Sequence, residues 1–94
     1  MAVRIYTDEI VNAVCLNIAS RKGILPTEVE VQLSWEEEYG FTAEVWTQGR
    51  SQYLVEANLL EAIEQYMLKQ YNRRVFRSQI TLDVDEEFWA DIAD

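Results

Sequence analysis

Histidine is missing from this chain, cysteine and proline occur once each, and glycine occurs three times. Without histidine there is no side chain whose ordinary pKa falls between about pH 5 and 8, and no Ser-His or Cys-His nucleophile pair can be assembled. The single Cys15 cannot close an intrachain disulfide, and a cysteine-rich metal site is impossible. So few prolines and glycines exclude a low-complexity linker. No apolar run approaches the roughly 18–20 residues of a membrane-spanning helix, and the first residues carry no signal-peptide-like apolar stretch. A cytoplasmic protein of bacterial type is the expectation. Positive charge is also short: eight Lys and Arg stand against 17 Asp and Glu, for a net charge of −9. That balance repels phosphate backbones and anionic lipid, so neither nucleic acid nor membrane is an expected partner. Its plainest use is solubility.

What remains suits one domain covering residues 1–94. Hydrophobic residues make up 49% of the chain and aromatic residues 12%, ample for a single core. The strongest local signal is Asn58–Tyr71. Asn58 is placed to act as N-cap with Glu61 three positions on. Leu59, Leu60, Ala62, Ile63, Tyr66, Met67 and Tyr71 cover about half of the helical cylinder, a stripe broad enough to face a sheet. An earlier helix opens at Thr7, carries Asp8 and Glu9 in its first turn, and stops at Gly23 ahead of Pro26. Ile10, Val11, Val14, Cys15 and Ile18 form its apolar face.

Strict alternation marks the strands. Val29, Val31, Leu33 and Trp35 share one face, and Phe41, Ala43 and Val45 face inward after a turn containing Gly40. Face matching favours a three-residue hairpin loop, Thr47-Gln48-Gly49, which pairs Trp46 with Arg50, Ala43 with Tyr53 and Phe41 with Val55. A two-residue loop at Gln48-Gly49 would oppose Ala43 to Leu54 instead. A last strand alternates through Phe76, Ser78, Ile80, Leu82 and Val84, and Asp85 is placed to cap a final turn carrying Phe88, Trp89 and Ile92. Met1–Tyr6 is either an extended lead-in or a short edge strand. No internal repeat is visible. The expected fold is α+β in the order α-β-β-β-α-β, an antiparallel sheet of three to four strands with two helices packed on one face.

The first five elements share their order with double-stranded RNA-binding domains, in topology alone. Those domains read the duplex through basic residues at the start of the last helix, where this chain has Asn58, Leu59, Leu60 and Glu61. In sequence, Glu9–Ala19 (EIVNAVCLNIA), Ser34–Trp46 (SWEEEYGFTAEVW) and Gly49–Tyr66 (GRSQYLVEANLLEAIEQY) together resemble the small YxcD-like proteins of Bacillus-type bacteria. That resemblance implies a bacterial cytosolic protein and supplies no catalytic residue.

Chemistry-bearing clusters are few. Asp83, Asp85, Glu86, Glu87, Asp91 and Asp94 are hard-cation ligand types, but they lack the twelve-residue loop and central glycine of an EF-hand. Glu36-Glu37-Glu38 is a solvated turn with nothing to split its pKa values. Cys15 has no group beside it that would lower its pKa. No catalytic residue, metal ligand or cofactor is expected. The more informative feature is the outer sheet face, where Tyr39, Trp46 and Leu54 lie with Arg50 and Gln52, the aromatic and arginine mixture enriched at interfaces. Phe88 and Trp89 form a second candidate patch. A non-catalytic interaction module, docking a protein partner or a second copy as a homodimer, is therefore the expected function. The alternatives are an acidic polyanion mimic that occupies a basic nucleic-acid-binding protein, and a carboxylate-dependent metal-binding protein.

Overall fold

In the computed structural model, which describes residues 2–94, eight regular elements follow one another. They are β1 (Val3–Tyr6), α1 (Thr7–Lys22), β2 (Val29–Glu36), β3 (Gly40–Thr47), β4 (Arg50–Val55), α2 (Glu56–Tyr71), β5 (Ile80–Val84) and β6 (Phe88–Ile92). The α+β class and the two helices are as expected. The single sheet is not. The strands form two antiparallel three-stranded sheets, ordered β1-β6-β5 and β2-β3-β4. Both ends of the chain contribute strands. Val3–Tyr6 pairs with β6 along its whole length. Phe88–Ile92 is the central strand of its sheet rather than a last turn. Its alternation has period two, with Phe88, Ala90 and Ile92 on one side and Trp89 and Asp91 on the other. Asp85 does not cap a helix; its N–H donates to the Glu87 carbonyl at 3.1 Å and closes the β5–β6 hairpin.

The helices keep their expected C-terminal ends, but both begin earlier than expected and two residues exchange roles. At Gly23 the backbone turns left-handed, φ 68°, and ends α1 as the sequence predicts. Thr7 is the first helical residue, and its hydroxyl ties α1 to β6 instead of capping. That hydroxyl donates to the Phe88 carbonyl at 3.2 Å and accepts the Phe88 N–H at 3.0 Å. Asn58 lies inside α2, whose first residue is Glu56. There its Oδ1 accepts the Val55 N–H at 3.0 Å, the return half of a capping box. Glu61, released from capping, pairs with Arg21 of α1.

The β3–β4 connection is the two-residue loop that face matching rejects. Thr47 opposes Arg50, Val45 opposes Gln52, and Ala43 opposes Leu54. Gln48 and Gly49 both take positive φ, 50° and 78°, as a type I′ turn requires and as the right-handed strand twist favours. Turn geometry outweighs the local matching of faces. Every residue of β4 is thereby turned over relative to expectation: Leu54 is buried at 8% exposure, and Tyr53 stands out at 70%.

The structure also contains a repeat that the sequence conceals. Each half runs strand, helix, then hairpin: β1-α1-β2-β3 followed by β4-α2-β5-β6. Each leading strand pairs with the hairpin of the other half, β1 with β6 and β4 with β3. Position by position, Ile5 opposite Ala90 matches Leu54 opposite Ala43, and all four are buried. In the helices, buried Ile10, Ala13, Val14 and Ile18 match buried Leu59, Ala62, Ile63 and Met67. The left-handed Gly23 is matched by Asn72 at φ 53°. Each helix is followed by a short 3-10 turn in which a backbone N–H donates to the side chain three residues on, Leu25 to Glu28 and Phe76 to Gln79.

Both helices pack on both sheets. One core cluster joins Ile5, Ala90 and Ile92 to Ile10 of α1 and Ile63 and Met67 of α2. The other joins Val29, Ala43, Val45 and Leu54 to Val14 and Ile18 of α1 and Leu59 of α2. Leu33 and Leu82, matching residues of β2 and β5, pack against both clusters. Phe41 and Phe88, another matched pair, meet edge to face with ring centroids 6.3 Å apart. The seam between the halves is thus apolar and aromatic.

Candidate interaction surface

With the helices against the inward faces, the outward faces carry the polar register. On β1-β6-β5, Arg4 lies opposite Asp91 and Tyr6 opposite Trp89. The Arg4 guanidinium grips Asp91 through two hydrogen bonds, 2.6 and 2.9 Å, and sits 4.9 Å from the Trp89 ring centroid. The hydrogen bond to Asp91 raises the Arg4 pKa, and the same contact holds the Asp91 carboxyl below the usual carboxylate range. On this face Arg4, Asp91 and Trp89 partner one another, while Tyr6 stays exposed.

On β2-β3-β4, the matching positions hold other residues. Tyr53 lies opposite Glu44, and Val55 opposite Thr42. Tyr39, in the β2–β3 turn, Glu36, Thr42, Tyr53 and Val55 line a hollow of about 360 Å³. Tyr39 is 65% exposed and Val55 54%. Glu37 and Glu38 are exposed in the same turn, and Glu44 is half-buried beside Tyr53. Among the described residues no ion pair reaches Glu36, Glu37, Glu38 or Glu44.

The residues singled out from sequence therefore separate. Tyr39 lines the hollow. Trp46 is on the same face but half-buried, opposite Glu30 and Ser51, and does not stack on Arg50. Arg50 and Gln52 share the parity of Leu54 yet remain exposed. Leu54 itself is core, because the shorter loop points it at the helices. Phe88 is an inward joint against Phe41, and Trp89 lies beneath Arg4. Tyr53 and Val55 were missed. The signal that would have found them is Gln48-Gly49 read as a turn with two positive φ values.

The other clusters have structural explanations. Cys15 is half-buried, its Sγ is 3.6 Å from the Val29 carbonyl oxygen, and burial raises its pKa. Tyr66 and Tyr71 both donate to Glu9 Oε2, at 2.9 and 2.6 Å, joining the end of α2 to the start of α1. The bond to Glu9 pushes the Tyr71 pKa up to about 12. In the acidic C-terminal segment, Asp83 accepts the Val84 N–H, Glu87 accepts the Thr7 N–H, Asp91 holds Arg4 and Asp94 holds Arg73. Among the described residues no three Asp, Glu or Cys side chains converge as metal ligands, and no helix is long and apolar enough to cross a membrane.

Comparison with known proteins adds a family. The family described as a protein of unknown function, DUF2653, matches residues 1–87, so the chain belongs to it. Neither the search of curated proteins nor that of solved structures gave a match.

Proposed function

We propose that this member of DUF2653 is a non-catalytic interaction module of the bacterial cytoplasm, docking a positively charged protein on the outward face of β2-β3-β4. The observation that carries this reading is the hollow lined by Tyr39, Tyr53 and Val55, exposed apolar surface framed by acids. Exposed aromatic side chains around a concavity supply the buried anchors of protein interfaces. The surrounding carboxylates select a partner of opposite sign and speed its approach. Self-association on this face would bring two net charges of −9 together, which disfavours a homodimer. The polyanion-mimic alternative draws less support, because Arg4, Arg21, Arg77 and Arg73 pair with acids on the first sheet, α2 and the C-terminus.

The test places a photo-crosslinking phenylalanine analogue at Tyr39 in the full chain, within its native cells. The expected result is one or a few reproducible adducts whose crosslinked segments carry Lys or Arg. The further substitution Tyr53→Ser should abolish them without moving the melting temperature. Adducts that survive Tyr53→Ser, or none at all, overturn the reading. A dimer by light scattering that Tyr53→Ser dissolves would also overturn it, in favour of a self-associating face.

A further inference from the structure

The matched halves allow a more specific statement about the same surface, one that rests on the interaction reading above. In the first sheet the outward pair three residues before the helix start is Arg4 opposite Asp91, with the guanidinium held by the carboxylate and lying 4.9 Å from an aromatic ring centroid. In the second sheet the pair at the matching position is Tyr53 opposite Glu44. An acid is retained, an aromatic ring is present, and the cation is replaced by the tyrosine. We infer that the Tyr39–Tyr53 hollow receives the side chain of an arginine from an extended protein segment. That arginine supplies from outside the group that Arg4 supplies in the first sheet.

The chemistry of the lining fits. An arginine stem of three methylenes needs apolar contact, and Val55 and Thr42 line the hollow to offer it. The planar guanidinium stacks on a tyrosine face and donates in a fork to a carboxylate, a pairing that a lysine ammonium reproduces only in part. Glu36 lines the hollow and Glu44 flanks Tyr53 in register. A neutral apolar side chain would fill the space and leave both acids unmatched.

The experiment uses the full-length ¹⁵N-labelled chain and short capped peptides carrying one arginine, titrated by NMR. A second peptide has citrulline in place of the arginine, and a third has lysine. The expected result is that amide shifts cluster at Tyr39, Thr42, Glu44 and Tyr53. The citrulline peptide should bind roughly tenfold more weakly, and the lysine peptide should fall between. Glu44→Gln and Tyr53→Ser should each weaken the arginine peptide several-fold while their ¹⁵N spectra stay dispersed, since Tyr53 is surface-exposed. Equal binding of arginine and citrulline, or shifts located on the helices or first sheet, overturns the arginine assignment. The two proposals fail separately. Crosslinked partners with no arginine preference would leave the docking face and remove its guanidinium specificity. An arginine site without crosslinked partners would leave the hollow and remove the interaction module.

Discussion

Arg4 and Asp91 on one sheet, and Tyr53 and Glu44 on the other, occupy the same place in two copies of one pattern. Inward, the copies agree closely: Ile5 and Leu54 lie against Ala90 and Ala43, and the helices bury the same four positions. Outward, they part. The first sheet completes its surface with an intramolecular clamp over Trp89, whereas the second exposes two tyrosines beside carboxylates. Packing constrains the inner faces because each must fit the same pair of helices. Water constrains the outer faces far less, so difference accumulates there and marks the candidate surface.

The strongest way to break the comparison is to exchange inside for outside on β4. Leu54→Ala should cost roughly 2–5 kcal/mol in urea unfolding, as removal of a buried leucine does, and Ile5→Ala should cost a similar amount. Tyr53→Ala, one residue away, should stay within about 0.5 kcal/mol, as surface substitutions do. A larger loss for Tyr53 than for Leu54 would restore the three-residue loop and turn β4 over again.

The seam offers the next effect. Phe41 and Phe88 meet edge to face at 6.3 Å, and a double-mutant cycle with alanine should give a coupling of about 0.5–1.5 kcal/mol. Additive losses would mean that the halves are not joined through these rings.

The turn itself gives a smaller, opposite effect. Gln48 holds φ 50°, a region asparagine enters more easily. Gln48→Asn should therefore stabilise the chain by about 0.5–1 kcal/mol in the same unfolding assay. In a three-residue loop with Gln48 right-handed, the substitution would bring no gain.

Much of this was legible in the residues. Helix stops, the alternation of β2 and β3, and the set Ile80, Leu82 and Val84 follow from periodicity and from Gly23, whose punctuation is local. The expected last strand, however, reaches back to Phe76, and the actual one starts at Ile80 after a 3-10 turn. Three features were not. The αL conformation of Gln48 is unusual for its residue type, so one position misplaced Tyr53, Leu54 and the surface they define. Val3–Tyr6 is a strand because it pairs with β6 across nearly the whole chain, and no local window contains that contact. Phe88–Ile92 also pairs with β5 in a local hairpin, and the expectation of a last turn passes over its period-two alternation. The repeat is hidden because the halves share inward shape rather than identity: Cys15 faces Glu64 across the match, and Asn17 faces Tyr66. Asn58 shows a milder failure, a correct helix-start signal read in the wrong capping position.

The smallest predicted effect concerns the clamp that only the first sheet possesses. Arg4 holds the Asp91 carboxyl below the usual carboxylate range through their hydrogen bonds. A depressed folded pKa means that, as the solution is acidified, the unfolded chain takes up this proton before the folded one does. The stabilisation is present above the ordinary carboxylate pKa near 4 and fades as pH falls towards the folded value. Asp91→Asn and Arg4→Gln should both flatten that part of the profile of urea midpoint against pH, and to the same extent, because either removes the pair. Tyr53→Ser should leave it in place. Both partners are exposed, so added salt should shrink the effect further in the wild type and change nothing in the variants at this step. If Tyr53→Ser flattened the acid limb as Asp91→Asn does, the outward faces would be electrostatically one surface, and the contrast between a clamped sheet and an open one would no longer hold.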